Sequence, residues 1–139
     1  MIRAGESIFV DSGAWIALAQ VRDPLHQRAV VAWQEIGRKG LRLSTSVPVV
    51  LETFTFLERN TTREVALAWK DSLETVARLR VLDFRAADLP RAWNWFRRRD
   101  LHKLSAVDAT SFALMSAEKI RLAFTFDHHF SAAGFRIVD

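Results

Sequence analysis

The sequence has no cysteine. That excludes disulfides, thiolate zinc sites and cysteine nucleophiles together, and it suits a reducing compartment. Long apolar runs are also missing, since none approaches the ~20 residues that span a bilayer. The opening "MIRAGESIFVDSG" does not read as a signal peptide, because Glu6 and Asp11 interrupt any apolar stretch. No segment repeats at a fixed period or is low in complexity. The expectation is a soluble, cytoplasmic protein with no membrane partner. What is present supports an ordinary core: 139 residues, half of them apolar, with 10 Phe and 5 Trp. That is the size of one domain, residues 1–139. The formal net charge of +4, from 20 Lys+Arg against 16 Asp+Glu, helps binding to polyanions without being diagnostic. It means more if the acidic residues gather at one place, because the remaining surface is then more basic than the total suggests.

Strand and helix signals alternate. "SIFV" (Ser7 to Val10) reads as a short buried strand and "GAWIALA" as the start of a helix. In "RDPLHQRAVVAWQEIG", Asp23 is the expected N-cap and Pro24 the first helical residue, with Gly37 and Gly40 at the far end. "LRLSTS" (Leu41 to Ser46) is a second strand. "VPVVLETFTFLER" carries Val50, Phe54 and Leu57 at helical spacing. Thr61 or Thr62 caps "REVALAWKDSLETVARL". "RVLDF" is a third strand. Asp88 starts the helix "LPRAWNWFRRR", and Ser105 caps "AVDATSFALMSAEK". "RLAFTF" and "FRIV" are the fourth and fifth strands. Strands separated by helices imply an α/β fold, a mostly parallel sheet covered on both faces by right-handed crossovers. In such sheets ligands bind beyond the carboxyl ends of the strands.

Four carboxylates fall at that edge. Asp11 directly follows the first strand and Asp127 the fourth. Glu52 lies early in the helix after the second strand, and Asp108 in the first turn of the helix capped by Ser105. Asp108 shares a face with Phe112 and Met115, and Glu52 lies beside Val49 and Phe56, so both lean toward apolar faces. Each has a bland reading. Asp11 and Asp127 suit turns at strand ends, Ser105 and Asp108 suit a capping box, and helices are rich in Glu. The joint pattern is stronger than any one member. Four adjacent carboxylates cannot all stay ionised without compensation, and a divalent cation supplies it. Oxygen ligands without cysteine favour Mg²⁺ or Mn²⁺ over Zn²⁺. Such a site can activate water and stabilise the leaving oxygen of a phosphodiester.

The blocks "FVDSGAWIAL", "TSVPVVLETFTFL", "DLHKLSAVDATSFALM" and "AFTFDHHFSAAGFRIV" carry a resemblance. The chain resembles the PIN-domain ribonucleases, specifically the VapC-type toxins of bacterial toxin–antitoxin pairs, over nearly its whole length. The resemblance implies a three-layer α/β/α sandwich with a five-stranded parallel sheet. It implies Mg²⁺- or Mn²⁺-dependent endoribonuclease activity, an RNA substrate, a small antitoxin partner and a homodimer. The family's acidic positions fall on Asp11, Glu52, Asp108 and Asp127, with Asp11 and Asp108 most directly tied to metal. Ser12 and Thr125 match its supporting hydroxyls. "VVAWQEI" and "FTFLER" would supply the apolar wall of an antitoxin groove between the second and third helices. One departure is the turn before the fourth strand, where the family usually has a glycine and "AEKIRLAFTF" has none.

Arg97, Arg98, Arg99 and Lys103 form a basic stretch near the proposed edge that could contact RNA phosphates, or simply end a helix favourably. Trp93, Trp95 and Phe96 are expected in the core, with base stacking as the alternative. His128 and His129 are expected in the turn after the fourth strand, with Phe130 closing onto the core. Receiver domains need an acidic pair after the first strand and a lysine after the last, which "FVDSG" and "FRIVD" lack. Phosphatases with an aspartate nucleophile need a second Asp where Gly13 stands. A DNA-directed nuclease and a non-catalytic RNA- or protein-binding domain of the same fold remain the alternatives.

Overall fold

The alternating apolar runs and helical repeats fold as expected in the computed structural model, which describes residues 2–139. In chain order they are β1 (Ser7–Val10), α1 (Ser12–Ala19), α2 (His26–Arg38), β2 (Arg42–Ser46), α3 (Val47–Asn60), α4 (Arg63–Leu73) and β3 (Arg80–Leu82). There follow α5 (Leu89–Asn94), α6 (Ala106–Ala117), β4 (Leu122–Phe124), α7 (His128–Ala132) and β5 (Arg136–Val138). The five strands form one parallel sheet in the order β3-β2-β1-β4-β5. β1 is therefore central, and Ile8, Phe9 and Val10 are wholly buried. This continuous apolar character is what a strand covered on both faces requires.

The strand order reverses beside β1. Right-handed crossovers then put α1–α4 on one face of the sheet and α5–α7 on the other. The packing agrees: α1 touches α2 and α3, α3 touches α4, and α6 touches α5 and α7, while α3 meets α6 across the strand ends. The result is the expected three-layer sandwich. On one face Trp15 sits 5.7 Å from Trp33 and 6.2 Å from Trp69, centroid to centroid. On the other, Phe112 is ringed by Phe130 at 4.9 Å, Trp95 at 5.1 Å and Phe135 at 5.5 Å. Among the described residues no helix is long and apolar enough to cross a membrane.

Four helix starts are capped by side chains that accept a backbone N–H: Ser46 from Val49, Thr62 from Val65, Ser105 from Asp108 and Asp127 from His129. Other boundaries differ from the sequence reading. Asp23 does not cap a helix. Its Oδ1 accepts from the Leu25 amide at 2.8 Å in a local turn, and the helix begins at His26. α4 stops at Leu73, well short of Leu79. Ser72 and Thr75 hydroxyls bond back to the Trp69 and Ser72 carbonyls there, and the chain turns away with Arg78 at φ 58. α5 ends at Asn94, and a tighter 3₁₀ turn over Trp95–Arg97 points Trp95 at Phe112. His128 opens a one-turn helix, α7, where a plain turn was expected; Phe130 is wholly buried, as expected. The missing glycine before β4 is replaced by Lys119, which takes the left-handed conformation at φ 57 while the Ile120 amide bonds to the Met115 carbonyl.

Candidate active site

The carboxyl edge of the sheet carries a cleft of about 400 Å³ whose lining includes Asp11, Glu52, Asp108 and Asp127, together with Ser12 and His129. All four carboxylates singled out in the sequence reach it. The parallel topology explains why: β1 and β4 are neighbours and end together, so Asp11 and Asp127 emerge side by side. α3 and α6 begin at the same edge and meet there, which brings in Glu52 and Asp108. Beneath the cleft, the Trp15 indole donates to Thr45 Oγ1 at 3.1 Å. Thr45 in turn donates to the Val10 carbonyl at 2.9 Å, pinning α1 to the strand ends.

Asp11 occupies the N-cap position of α1, yet its side chain makes no capping bond. Its Oδ2 accepts from Thr125 Oγ1 at 2.9 Å, and its Oδ1 is buried without a partner. Thr125 also accepts from the Asp127 amide at 3.0 Å, so one buried hydroxyl fixes both strand ends. Ser12 donates to Glu52 Oε1 at 2.5 Å and aims that carboxylate across the cleft. The two hydroxyls expected to support the site therefore have specific partners.

The electrostatics are those of a crowded acidic site. Burial pushes the Asp11 pKa up to about 7, helped by the Glu52 and Asp127 charges and opposed by the Ser12 amide and the Thr125 hydroxyl. Burial also pushes Asp108 up to about 9, with the Asp11 charge and a hydrogen bond to Asp127 adding to it. For Asp127, burial acts upward, but hydrogen bonds from the Asp108 carboxyl, the His129 amide and the His129 ring outweigh it and hold the group below its usual range. The contact between the two thus raises Asp108 and lowers Asp127. Ser105 makes its half of a capping box, while the Asp108 side chain faces the cluster.

Carboxyl groups raised by burial and by one another, and an orphaned buried carboxylate oxygen, are what a carboxylate cluster shows when no cation neutralises it. The donor atoms are all oxygens, which suits a hard divalent ion. A second donor group, Asp127 with His128 and His129, lies within 4.8 Å. It fits a metal less well, because both His129 nitrogens are engaged: Nδ1 with Asp127 Oδ1 at 2.8 Å and Nε2 with the His102 carbonyl at 2.7 Å. Facing two acceptors favours the doubly protonated ring, and the His102 carbonyl first, then Asp127, raise its pKa. His129 is a brace for Asp127 that the sequence reading left in a turn. The signal available in "DHHF" was a histidine two residues after a capping aspartate.

The basic stretch divides. Lys103, at φ 56, lines the cleft. Arg98 is tied to Asp100 at 2.5 Å and to the Ala132 carbonyl at 3.0 Å, and it lies over the Trp95 ring. Arg97 and Arg99 are exposed. The aromatic trio divides too: Trp95 packs into the core, whereas Trp93 and Phe96 are 53% and 45% exposed. Next to Glu52, Pro48, Leu51, Phe56 and Val107 help line an apolar depression to which α2 contributes nothing. The wall expected from "FTFLER" is there, but its second side comes from α6, because α1 packs between α2 and α3.

The PIN domain family model matches residues 8–136. The 23S rRNA-specific endonuclease VapC20 of Mycobacterium tuberculosis is 41% identical over 130 residues, covering 92% of this chain and 95% of that one. The crystal structure of VapC20, described as a sarcin–ricin loop cleaving toxin, matches at TM-score 0.79 and 36% identity, covering 92% and 95% of the two chains. Two more distant structures share the fold: VapBC2 from Rickettsia felis (TM-score 0.69, 13% identity, 94% and 96% covered) and FitAcB from Neisseria gonorrhoeae (0.69, 15%, 95% and 96%).

Proposed function

We propose that this chain, which belongs to the PIN-domain family in its VapC-type branch, is a Mg²⁺- or Mn²⁺-dependent endoribonuclease and the toxin of a toxin–antitoxin pair. Residues 1–139 form the one nuclease domain, working in the cytoplasm. The observation that carries the reading is the buried, unpartnered Oδ1 of Asp11 among three further carboxylates. Asp11 and Asp108 would hold the cation, with Glu52 and Asp127 completing or orienting its shell. When bound, the cation supplies charge neutralisation for the scissile phosphate and a more acidic water.

The chain's own groups do the positioning. Thr125 fixes Asp11 by one oxygen and leaves the other buried without a partner. Ser12 fixes Glu52, and His129 fixes Asp127. Asp127, kept ionised, is the group suited to orient an attacking water. Lys103 at the rim suits a flanking phosphate. In-line attack by water would leave 5′-phosphate and 3′-hydroxyl ends.

The names of the VapC20 relatives make 23S rRNA, and its sarcin–ricin loop in particular, the first substrate to test. The fold shared with VapBC2 from Rickettsia felis and VapBC from Salmonella typhimurium supports a small antitoxin as partner, and the apolar depression beside Glu52 is a surface for it to cover; a homodimer is the proposed assembly. Purified protein incubated with a sarcin–ricin stem–loop should cleave it with Mg²⁺ or Mn²⁺ and not in EDTA. Asp11→Asn should lose at least ~100-fold in rate, the scale of a lost transition-state contact. Equal cleavage by wild type and Asp11→Asn would overturn the site.

A further inference from the structure

The edge of the sheet opposite the carboxylates holds a cavity of about 490 Å³ lined by Arg3, Arg42, Lys119, Arg121 and Arg136, with Glu6 as the one carboxylate. We propose that this edge is a second nucleic-acid site, binding backbone phosphates of a folded RNA whose cleavable loop lies at the carboxylate edge. The proposal rests on the ribonuclease reading for the identity of the polyanion, and on the geometry of this edge for the rest.

The placement follows from strand register. Arg42 is the first residue of β2, Arg136 the first of β5, and Arg121 immediately precedes β4. Ser7 pairs with Arg42 and Ile8 with Leu122, so Arg42 and Arg121 stand level on either side of β1; Leu122 pairs with Arg136, which sets Arg136 one residue further along on β5. Adjacent strands lie about 4.8 Å apart, which spreads the three guanidinium stems over roughly 15 Å. Such a row suits a run of phosphates better than a single anion. Glu6 pairs with Arg136. Among the described residues, Arg3, Arg42, Lys119 and Arg121 have no carboxylate within ion-pair distance.

Charge supports the same reading. Five cations against one carboxylate leave a surplus of four, equal to the formal net charge of the whole chain. The dipole of a preceding helix favours single cations at its end, as after α6, but does not gather five in one concavity. Four of the five are arginines, whose fork matches phosphate oxygens two at a time. The other pole of the molecule carries four carboxylates, which repel phosphate until cation-loaded. A second point of attachment would hold a large RNA against that repulsion. Strands of three to five residues span only about 10–17 Å, so a folded RNA lying against the domain can reach both edges.

The test uses fluorescence anisotropy of a labelled sarcin–ricin stem–loop in EDTA, where the proposed chemistry is silent, across a salt series. Arg42→Glu/Arg121→Glu should weaken binding at least 10-fold and flatten the salt dependence by about two phosphate contacts. Arg63→Glu, elsewhere on the surface, should bind as wild type does. Cleavage of a short single strand in Mn²⁺ should be the same in all three. Arg42→Gln/Arg121→Gln, expected to give a smaller loss, guards against misfolding in the reversed pair. Unchanged stem–loop affinity in the double variants overturns the proposal, as does an equal loss in Arg63→Glu. So does unchanged RNA affinity accompanied by lost binding of an acidic protein partner, which would make the edge a protein interface. If no RNA is cleaved by any form, yet the stem–loop affinity falls as expected, the catalytic reading fails and the basic edge stands.

Discussion

Removing metal should make this protein more stable in mild acid than at neutral pH, and the carboxyl edge sets the size of the effect. In the unfolded chain Asp11 and Asp108 titrate near 3.8, whereas in the fold burial raises them to about 7 and about 9. A group raised in the fold contributes its stability in full below the unfolded pKa and loses it as pH climbs to the folded pKa. Each such group costs about 1.4 kcal/mol per pH unit within its window. Asp11 and Asp108 act together from about pH 5 to 7, and Asp108 continues alone toward 9. Between pH 5 and 8 the combined loss is on the order of 7 kcal/mol, comparable to the whole stability of many domains. His129, raised by the His102 carbonyl and then by Asp127, adds in the same direction above its unfolded value of 6.5. Asp127, Asp88 and Asp100 are lowered and lose their contribution only in stronger acid, below this window. The assay is urea unfolding in EDTA at pH 5, 6, 7 and 8, for wild type and Asp108→Asn. Wild type should lose stability steadily, Asp108→Asn should lose less, and millimolar Mg²⁺ or Mn²⁺ should flatten the wild-type slope. A metal-free stability that is level or rising over this range would refute the crowded, buried cluster.

Three further outcomes follow from single contacts. Ser12→Ala frees Glu52 from its 2.5 Å bond, and should lower kcat about 10-fold with little change in KM, while unfolding shifts by no more than ~1 kcal/mol. Thr125→Val leaves both Asp11 oxygens without a hydroxyl partner, and should cost about 1–3 kcal/mol in urea unfolding at neutral pH. Lys119→Gly relieves a left-handed lysine in the turn before β4, and should raise the free energy of unfolding by about 1 kcal/mol; a loss of stability would contradict the strain.

The carboxyl edge was legible because one rule of topology did most of the placing. Once strands and helices alternate, Asp11, Glu52, Asp108 and Asp127 have to reach one edge, whatever the exact boundaries are. Ser46, Thr62 and Ser105 were equally readable, since a hydroxyl before a helical repeat has one common use. What escaped was decided by contacts far off in sequence. α5 breaks at Asn94 because Trp95 has Phe112 to pack on, and nothing local marks that. His129 needs the His102 carbonyl, 27 residues away, before it becomes a brace. Arg98, exposed like its neighbours Arg97 and Arg99, lies over Trp95 and bonds to the Ala132 carbonyl 34 residues away. The arginines at strand starts were visible in the letters, but only the register brings Arg42 and Arg121 level and Arg136 within one residue of them.

The hydrogen bond from Thr125 to Asp11 joins residues 114 positions apart, and it sets a clock. During synthesis β1 emerges early and can pair with β2, but its other neighbour, β4, leaves the ribosome only near the end. At ~5–20 residues per second the interval is roughly 6–20 s. Through that interval the nascent chain holds Asp11 without Asp127, and Glu52 and then Asp108 join it in turn. A carboxylate site laid out this way cannot close until β4 has followed β1 out of the ribosome.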